Sequence, residues 1–182
     1  ISFSAEKLYA NARNTLSWFR SQEGGSALRP MHVALNPVVE DVFDVGRSLA
    51  QSKGLRLLNE VSLDDVVRTD RDVLSIILHN LITNAITHTE QGEVRVGGKQ
   101  DDGIYSITVE DTGHGMCPQA LAYIRSLRAG DRAAQGSPDE DVVHGLGYVI
   151  IIELVRTLGA SLDVDSSPGT GTRVSVRLRI QE

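Results

Sequence analysis

Ile104-Tyr105-Ser106-Ile107-Thr108-Val109-Glu110-Asp111-Thr112-Gly113-His114-Gly115-Met116 is the stretch from which the rest of this chain can be read. Side chains alternate faces along an extended strand. Tyr105, Ile107 and Val109 therefore share one face, and Ser106, Thr108 and Glu110 share the other. Asp111 has the parity of the apolar residues. A carboxylate on the core side of a strand end needs a partner to offset its desolvation. The segment from Asp111 to Gly115 has two open readings. Asp-Thr-Gly-His-Gly is a plain turn after a strand, which is the stronger reading when it stands alone. Alternatively, the carboxylate accepts a hydrogen bond from an exocyclic amine such as that of adenine. Gly113 and Gly115 would then let the backbone approach the ring.

Working outward, residues 93–97 alternate at Val94 and Val96 and read as a neighbouring strand. Before them, Asp70 can cap a helix whose Val73, Ile77, Leu78, Leu81 and Ala85 share a face. Asn80, Asn84 and His88 recur every fourth residue on an adjoining face. Further upstream, residues 55–61 suggest a strand and residues 31–35 a short one. Between these, Asn36 reads as a cap, Pro37 as the first helical residue and Gly54 as the terminator. Residues 3–20 carry a helical stripe through Phe3, Leu8, Ala12, Leu16 and Phe19, stopped by Gly24-Gly25-Ser26.

Downstream, residues 118–127 look helical and residues 129–141 read as a mobile polar loop. Residues 146–158 form an apolar helix, and residues 161–165 and 172–180 two strands. In the last, Val174, Val176, Leu178 and Ile180 face in while Arg173, Ser175, Arg177 and Arg179 face out. The order of elements predicts an α+β two-layer sandwich. Its mixed, roughly five-stranded sheet is covered on one face by about three helices, with an N-terminal helical extension. The domains divide as 1–28 and 29–182.

The 182 residues suit one domain with an appendage, and 41% hydrophobic with 23% charged residues is a globular composition. A net charge of −6 argues against a nucleic-acid surface, which needs basic residues to displace counterions. No apolar run approaches the roughly 20 residues that span a bilayer. A single cysteine, Cys117, excludes an internal disulfide and a multi-cysteine metal site; it reads as a small, partly buried side chain. The chain opens on a helical pattern at Ile1, which reads as a piece of a longer protein.

A nucleotide pocket also needs a place for phosphates and metal. Magnesium takes oxygen ligands and keeps several waters, so one side-chain oxygen plus phosphate oxygens suffices. The amide of Asn84 offers that oxygen without adding negative charge; otherwise Asn80 and Asn84 are solvated helix residues. Gly145-Leu146-Gly147 opens a helix, whose free N–H groups attract phosphate, or is a flexible joint. Gly169-Thr170-Gly171-Thr172 precedes the last strand as a hairpin turn.

In this order and spacing, Asn80–Thr89, Asp111–Met116, Gly145–Gly147 and Gly169–Thr172 resemble the N, G1, G2 and G3 boxes of sensor histidine kinases. Those ATP-binding domains belong to the GHKL group with Hsp90, MutL and type II topoisomerases, and the resemblance runs from about Arg29 to Ile180. It implies ATP and Mg²⁺ as cofactors. Asn80, Asn84, His88, Asp111, Gly113, Gly115, Gly145, Leu146, Gly147 and Thr172 would bind nucleotide, with Asn84 on the metal. The Thr172 hydroxyl would bridge to Asp111, directly or through water. Residues 16–20 resemble the end of the second dimerisation helix. The implied partners are a second copy, paired through the parent's N-terminal helical hairpin, and a response regulator receiver domain. The location implied is cytoplasmic, with the parent anchored in the inner membrane through segments not present here.

The pattern departs from the family at several points. Thr87 stands where a cation is usual, Val143 replaces a glycine, and Tyr148 stands where leucine is common. No phenylalanine follows Phe43, so the family's phenylalanine-containing box is missing. Arg125, Arg128 or Arg132 would have to supply the missing cation. No histidine is followed by Asp or Glu, the usual context of a phosphoacceptor. The acceptor and its neighbouring general base are therefore expected before Ile1, and no catalytic residue within the chain. The reading is the kinase domain of a two-component sensor; the alternative is a nucleotide-binding pseudokinase with little phosphotransfer.

Overall fold

The computed structural model describes residues 28–129 and 146–180. The extension at 1–27, Val143, Gly145, Arg132 and nearly all of the loop expected at 129–141 lie outside the described residues. Strands β1 (Met31–Ala34), β2 (Arg56–Glu60), β3 (Val66–Thr69), β4 (Glu93–Asp101), β5 (Ile104–Asp111), β6 (Ser161–Ser167) and β7 (Gly171–Arg179) alternate with four helices. These are α1 (Leu35–Lys53), α2 (Arg71–His88), α3 (Pro118–Ala129) and α4 (Leu146–Thr157).

The main sheet runs β2-β4-β5-β7-β6. β2 lies parallel to β4 and the remaining pairs are antiparallel, so the sheet is mixed, as expected. Its apolar face carries Val94, Val96, Tyr105, Ile107, Val109, Val174, Val176 and Leu178, all buried. The helices cover that face with Leu74, Ile77, Leu78, Leu81, Ile82, Ile151 and Leu154. The opposite face is polar. Thr108 and Ser175 share a hydrogen bond across it, and Arg173 meets Glu110 at 2.7 Å. Such exposed pairs are each worth about 0–1 kcal/mol, so the stability comes from the apolar side.

Two local expectations are corrected. α1 begins at Leu35 with Ala34 at its cap and no side-chain cap bond, so Asn36 is not the cap. Its amide instead donates to the Val61 carbonyl oxygen at 2.6 Å, tying the helix start to the segment after β2. β3 was not anticipated; four residues have too little periodicity, and it forms by pairing Val67 with Val33 of β1.

β4 also runs four residues past its expected end. Asp102 and Gly103 (φ 45° and 73°) close a tight hairpin there, the conformation that Asp-Gly favours in two-residue turns.

Both ends of α2 are fixed. Asp70 Oδ1 accepts from the backbone N–H groups of Asp72 and Val73 at 3.1 Å each. At the other end, Lys53 Nζ donates to the carbonyls of Ile86, Thr87 and Thr89 at 3.1, 2.8 and 3.1 Å. An ammonium there satisfies orphan carbonyls and complements the negative helix end. The face bearing Asn84 and His88 is thereby held beside the end of β5.

Candidate functional site

A cavity of about 360 Å³ opens between α2, the ends of β5 and β7, α3 and the start of α4. Asn84 and His88 come from α2, Asp111 from β5, Thr172 from β7, and Gly115 from the loop after β5. Three stretches far apart in sequence thus meet around one space.

Asp111 organises that space. It is half-buried at the end of β5, opposite Val94 on one side and Thr172 on the other. Its Oδ1 accepts from the backbone N–H groups of Gly113 (2.8 Å) and Thr172 (3.2 Å). No described residue donates to Oδ2. Burial pushes the carboxyl above the usual carboxylate range, while the two backbone N–H groups and His114 pull it partly back. The result is an oriented, desolvated acceptor with one oxygen satisfied and the other available to a donor.

Gly113 does not line the cavity. A Cβ there would collide with the His88 carbonyl oxygen, so the close approach it permits is between the end of α2 and the end of β5. His114 N–H reinforces the junction by donating to that same carbonyl at 3.3 Å. Gly115 does line the cavity, at φ 69°, and a Cβ there would strike the Ser167 carbonyl. The link from Thr172 to Asp111 is made by its backbone N–H, whereas its hydroxyl meets Ser166 Oγ at 3.0 Å.

The two asparagines differ. Asn84 lines the cavity and abuts Gly147, where an added Cβ would lie 3.3 Å from its Nδ2. Asn80 does not line it; its Nδ2 donates to the Ile76 carbonyl at 2.7 Å within the same helix. His88 lies edge-on to His114, with ring centroids 5.2 Å apart. Leu146 is the first residue of α4, and Gly147 carries the helix start onto Asn84.

This site pairs a buried acceptor carboxylate on a strand end with an asparagine-bearing helix and a second helix beginning beside it. A family model described as histidine kinase-, DNA gyrase B- and HSP90-like ATPase matches residues 69–182. The chain belongs to that ATPase family.

Among similar proteins is the autoinducer 2 sensor kinase/phosphatase LuxQ of Vibrio cholerae, 32% identical over 184 residues. The match covers 98% of this chain and 21% of LuxQ. The virulence sensor protein BvgS of Bordetella bronchiseptica is 32% identical over 186 residues, covering 97% of this chain and 15% of BvgS. The chain thus spans about a fifth of the length of such relatives. In fold it resembles full-length ShkA in complex with AMPPNP (TM-score 0.70, 24% identity, 86% of this chain and 32% of that one). It also resembles the Acinetobacter baumannii histidine kinase AdeS (TM-score 0.72, 17% identity, 95% and 77%). Within its family, this ATPase domain groups with those of sensor histidine kinases.

Several residues of the ATPase domain were not anticipated as part of the site. Ser166 is a hub: its Oγ accepts from Met116 N–H at 2.9 Å, donates to the Gly171 carbonyl at 3.0 Å and meets Thr172. Met116, Gln119, Tyr123 and Ile124 supply a wall from α3 and its approach. Their i, i+4 spacing from Gln119 to Tyr123 was the available signal. Tyr148, noticed only as a departure from leucine, is buried in the wall.

Cys117 is exposed at the cavity rim, contrary to the partly buried position expected. Arg128 is engaged with Asp163 at 2.9 Å and the Leu162 carbonyl at 3.1 Å. Among the described residues there is no group of three or more His, Cys, Asp or Glu able to hold a metal. No described helix is long and apolar enough to cross a membrane.

Proposed function

We propose that this chain is the Mg-ATP-binding catalytic domain of a two-component sensor kinase that phosphorylates a histidine on a helix preceding it. The observation that carries the reading is Asp111: Oδ1 is locked by two backbone N–H groups while no described residue donates to Oδ2 at the cavity. An exocyclic amine supplies the missing donor, and adenine has one where guanine presents a carbonyl at the same ring position.

Asn84 fits a magnesium ion that shares the triphosphate. It is a neutral oxygen donor on the cavity wall, beside the start of α4, with no competing acidic cluster among the described residues. When bound, the ion would neutralise charge on the phosphates. Phosphoryl transfer depends mainly on positioning and charge neutralisation. The acceptor imidazole nitrogen would form a bond to the γ-phosphorus as its bond to the ADP oxygen breaks. That histidine, and the carboxylate that takes its proton, would belong to a helix before Ile1. The phosphoryl group would then pass to a response regulator, and two copies would pair through the helical hairpin.

Calorimetric titration with ATP and GTP tests the base assignment. ATP is expected to bind more tightly, and Asp111→Asn to lose about 1.5–3 kcal/mol of that affinity. Equal affinity for the two nucleotides would sink it. Asn84→Ala should abolish the magnesium-dependent part of ATP binding with the melting profile unchanged. Wild-type magnesium dependence in that variant would place the ion elsewhere.

A further inference from the structure

Tyr148 lies in the first turn of α4, is 4% exposed and lines the same cavity as Asp111. No described residue shares a hydrogen bond with its hydroxyl. Its side chain lines the cavity close enough to Asp111 for the carboxylate's charge to act on the phenol. A tyrosine in such a place usually finds a partner, because a hydroxyl left unpaired once a ligand displaces water from the cavity costs about 1–3 kcal/mol in lost hydration. Phenylalanine or leucine would fill the same apolar wall without that cost. The hydroxyl therefore has a use that packing does not supply.

We propose that Tyr148 is a second base-reading residue, its hydroxyl donating a hydrogen bond to a purine ring nitrogen adjacent to the amine that Asp111 accepts. The inference rests on the adenine reading above and adds a specificity determinant to it. The chemistry is constrained. The exocyclic amine of adenine is flanked by two ring nitrogens, N1 and N7, both acceptors. A donor beside Asp111 in the same cavity meets one of them. The phenol stays in its donor form at neutral pH, since burial raises its pKa and the charge of Asp111 raises it further. Asp111 accepts and Tyr148 donates, so the pair reads a donor next to an acceptor. Guanine presents at that edge a carbonyl and, at N1, a donor, which mismatches Asp111 and, if N1 is the nitrogen read, Tyr148 as well.

The test is a titration of the full chain and its Tyr148→Phe variant with ATP, 1-deaza-ATP and 7-deaza-ATP. Removing the hydroxyl should weaken ATP binding by about 3- to 12-fold, the range of a neutral hydrogen bond. One deaza analogue should bind the wild type as weakly as ATP binds the variant, and should lose nothing further in it. Tyr148→Leu should show the same loss of discrimination, separating the hydroxyl from the ring.

ATP binding within twofold of wild type in Tyr148→Phe overturns the proposal. So does an equal loss for ATP and both analogues, which would mark a packing effect. Preference of the wild type for ATP over GTP, abolished in Asp111→Asn, upholds the adenine reading whichever way Tyr148 behaves. Absence of that preference sinks both.

Discussion

β5 begins and ends with the same pair of functional groups, a tyrosine and an aspartate, used in opposite ways. At its start Tyr105, 1% exposed, donates to Asp65 Oδ2 at 2.6 Å, and Asp65 also accepts from the Ser62 N–H at 3.1 Å. At its end Asp111 has one oxygen fixed and one open, and Tyr148 beside it has a hydroxyl with no described partner. The first pair is closed on itself and ties the β2–β3 connection to the sheet. The second is half-complete and surrounds a cavity. A buried polar pair that satisfies itself adds stability, whereas one left incomplete is available to a ligand. The two ends should respond differently to the same kinds of substitution.

The largest effect is expected at the open end's frame. Gly113→Ala drives a Cβ into the His88 carbonyl and into the neighbourhood of Asp111 Oδ1. Neither the backbone oxygen nor the locked carboxylate can yield, so a loss of about 3 kcal/mol is expected in urea unfolding. ATP binding should fail with it. A melting temperature unchanged from wild type would show that the junction of α2 and β5 can relax.

Next comes the closed end. Tyr105→Phe should cost about 1–2 kcal/mol of stability, because it leaves Asp65 without its hydroxyl donor. Tyr148→Phe should change stability by less than about 0.5 kcal/mol, because no bond to a described residue is lost. Equal losses from the two variants would erase the contrast between the ends.

A smaller effect comes from pH. Burial and Asp65 hold the Tyr105 hydroxyl well above the ordinary tyrosine pKa, and burial with Asp111 does the same for Tyr148. With folded values above unfolded ones, stability is fully present below about pH 10 and is lost as pH rises beyond it. Denaturation monitored from about pH 8 to 11 should show a plateau and then a decline, shallower in Tyr105→Phe. A decline beginning well below about pH 10 would implicate other groups.

The smallest effect on stability belongs to Asp111→Asn. Because the folded carboxyl is raised, its ionised form at neutral pH opposes folding. Its favourable contribution exists at low pH and disappears as pH rises through the folded pKa. Asparagine removes that burden and can still accept from Gly113 and Thr172. Its melting temperature at neutral pH should be no lower than wild type, although ATP affinity falls. A markedly lower melting temperature would mean that Asp111 serves the fold and not a ligand.

Much of the fold and site is legible in the sequence alone. The alternation through Tyr105, Ile107 and Val109 places Asp111 on the core side, and the structure shows it half-buried there. Asp70 caps α2 and Gly54 (φ 68°) ends α1, because capping depends on a few adjacent residues. Asn36 misled, since its amide found a better acceptor 25 residues away at Val61. The approach of the His88 carbonyl to Gly113 was not legible, because that neighbour lies on another element.

By itself the sequence determined every described element except β3, their inward faces and the residue types able to read a nucleotide. Those properties stem from local periodicity and from side-chain chemistry, which do not need the rest of the chain. Only the tertiary structure decided which partners each polar group keeps. Thr172 reaches Asp111 through its backbone, Lys53 closes the end of α2, and Tyr148 brings to the cavity wall a hydroxyl that no described residue bonds. Hydrogen bonding is directional and saturable over about 3 Å, so the allocation of donors among acceptors is settled where strands and helices meet.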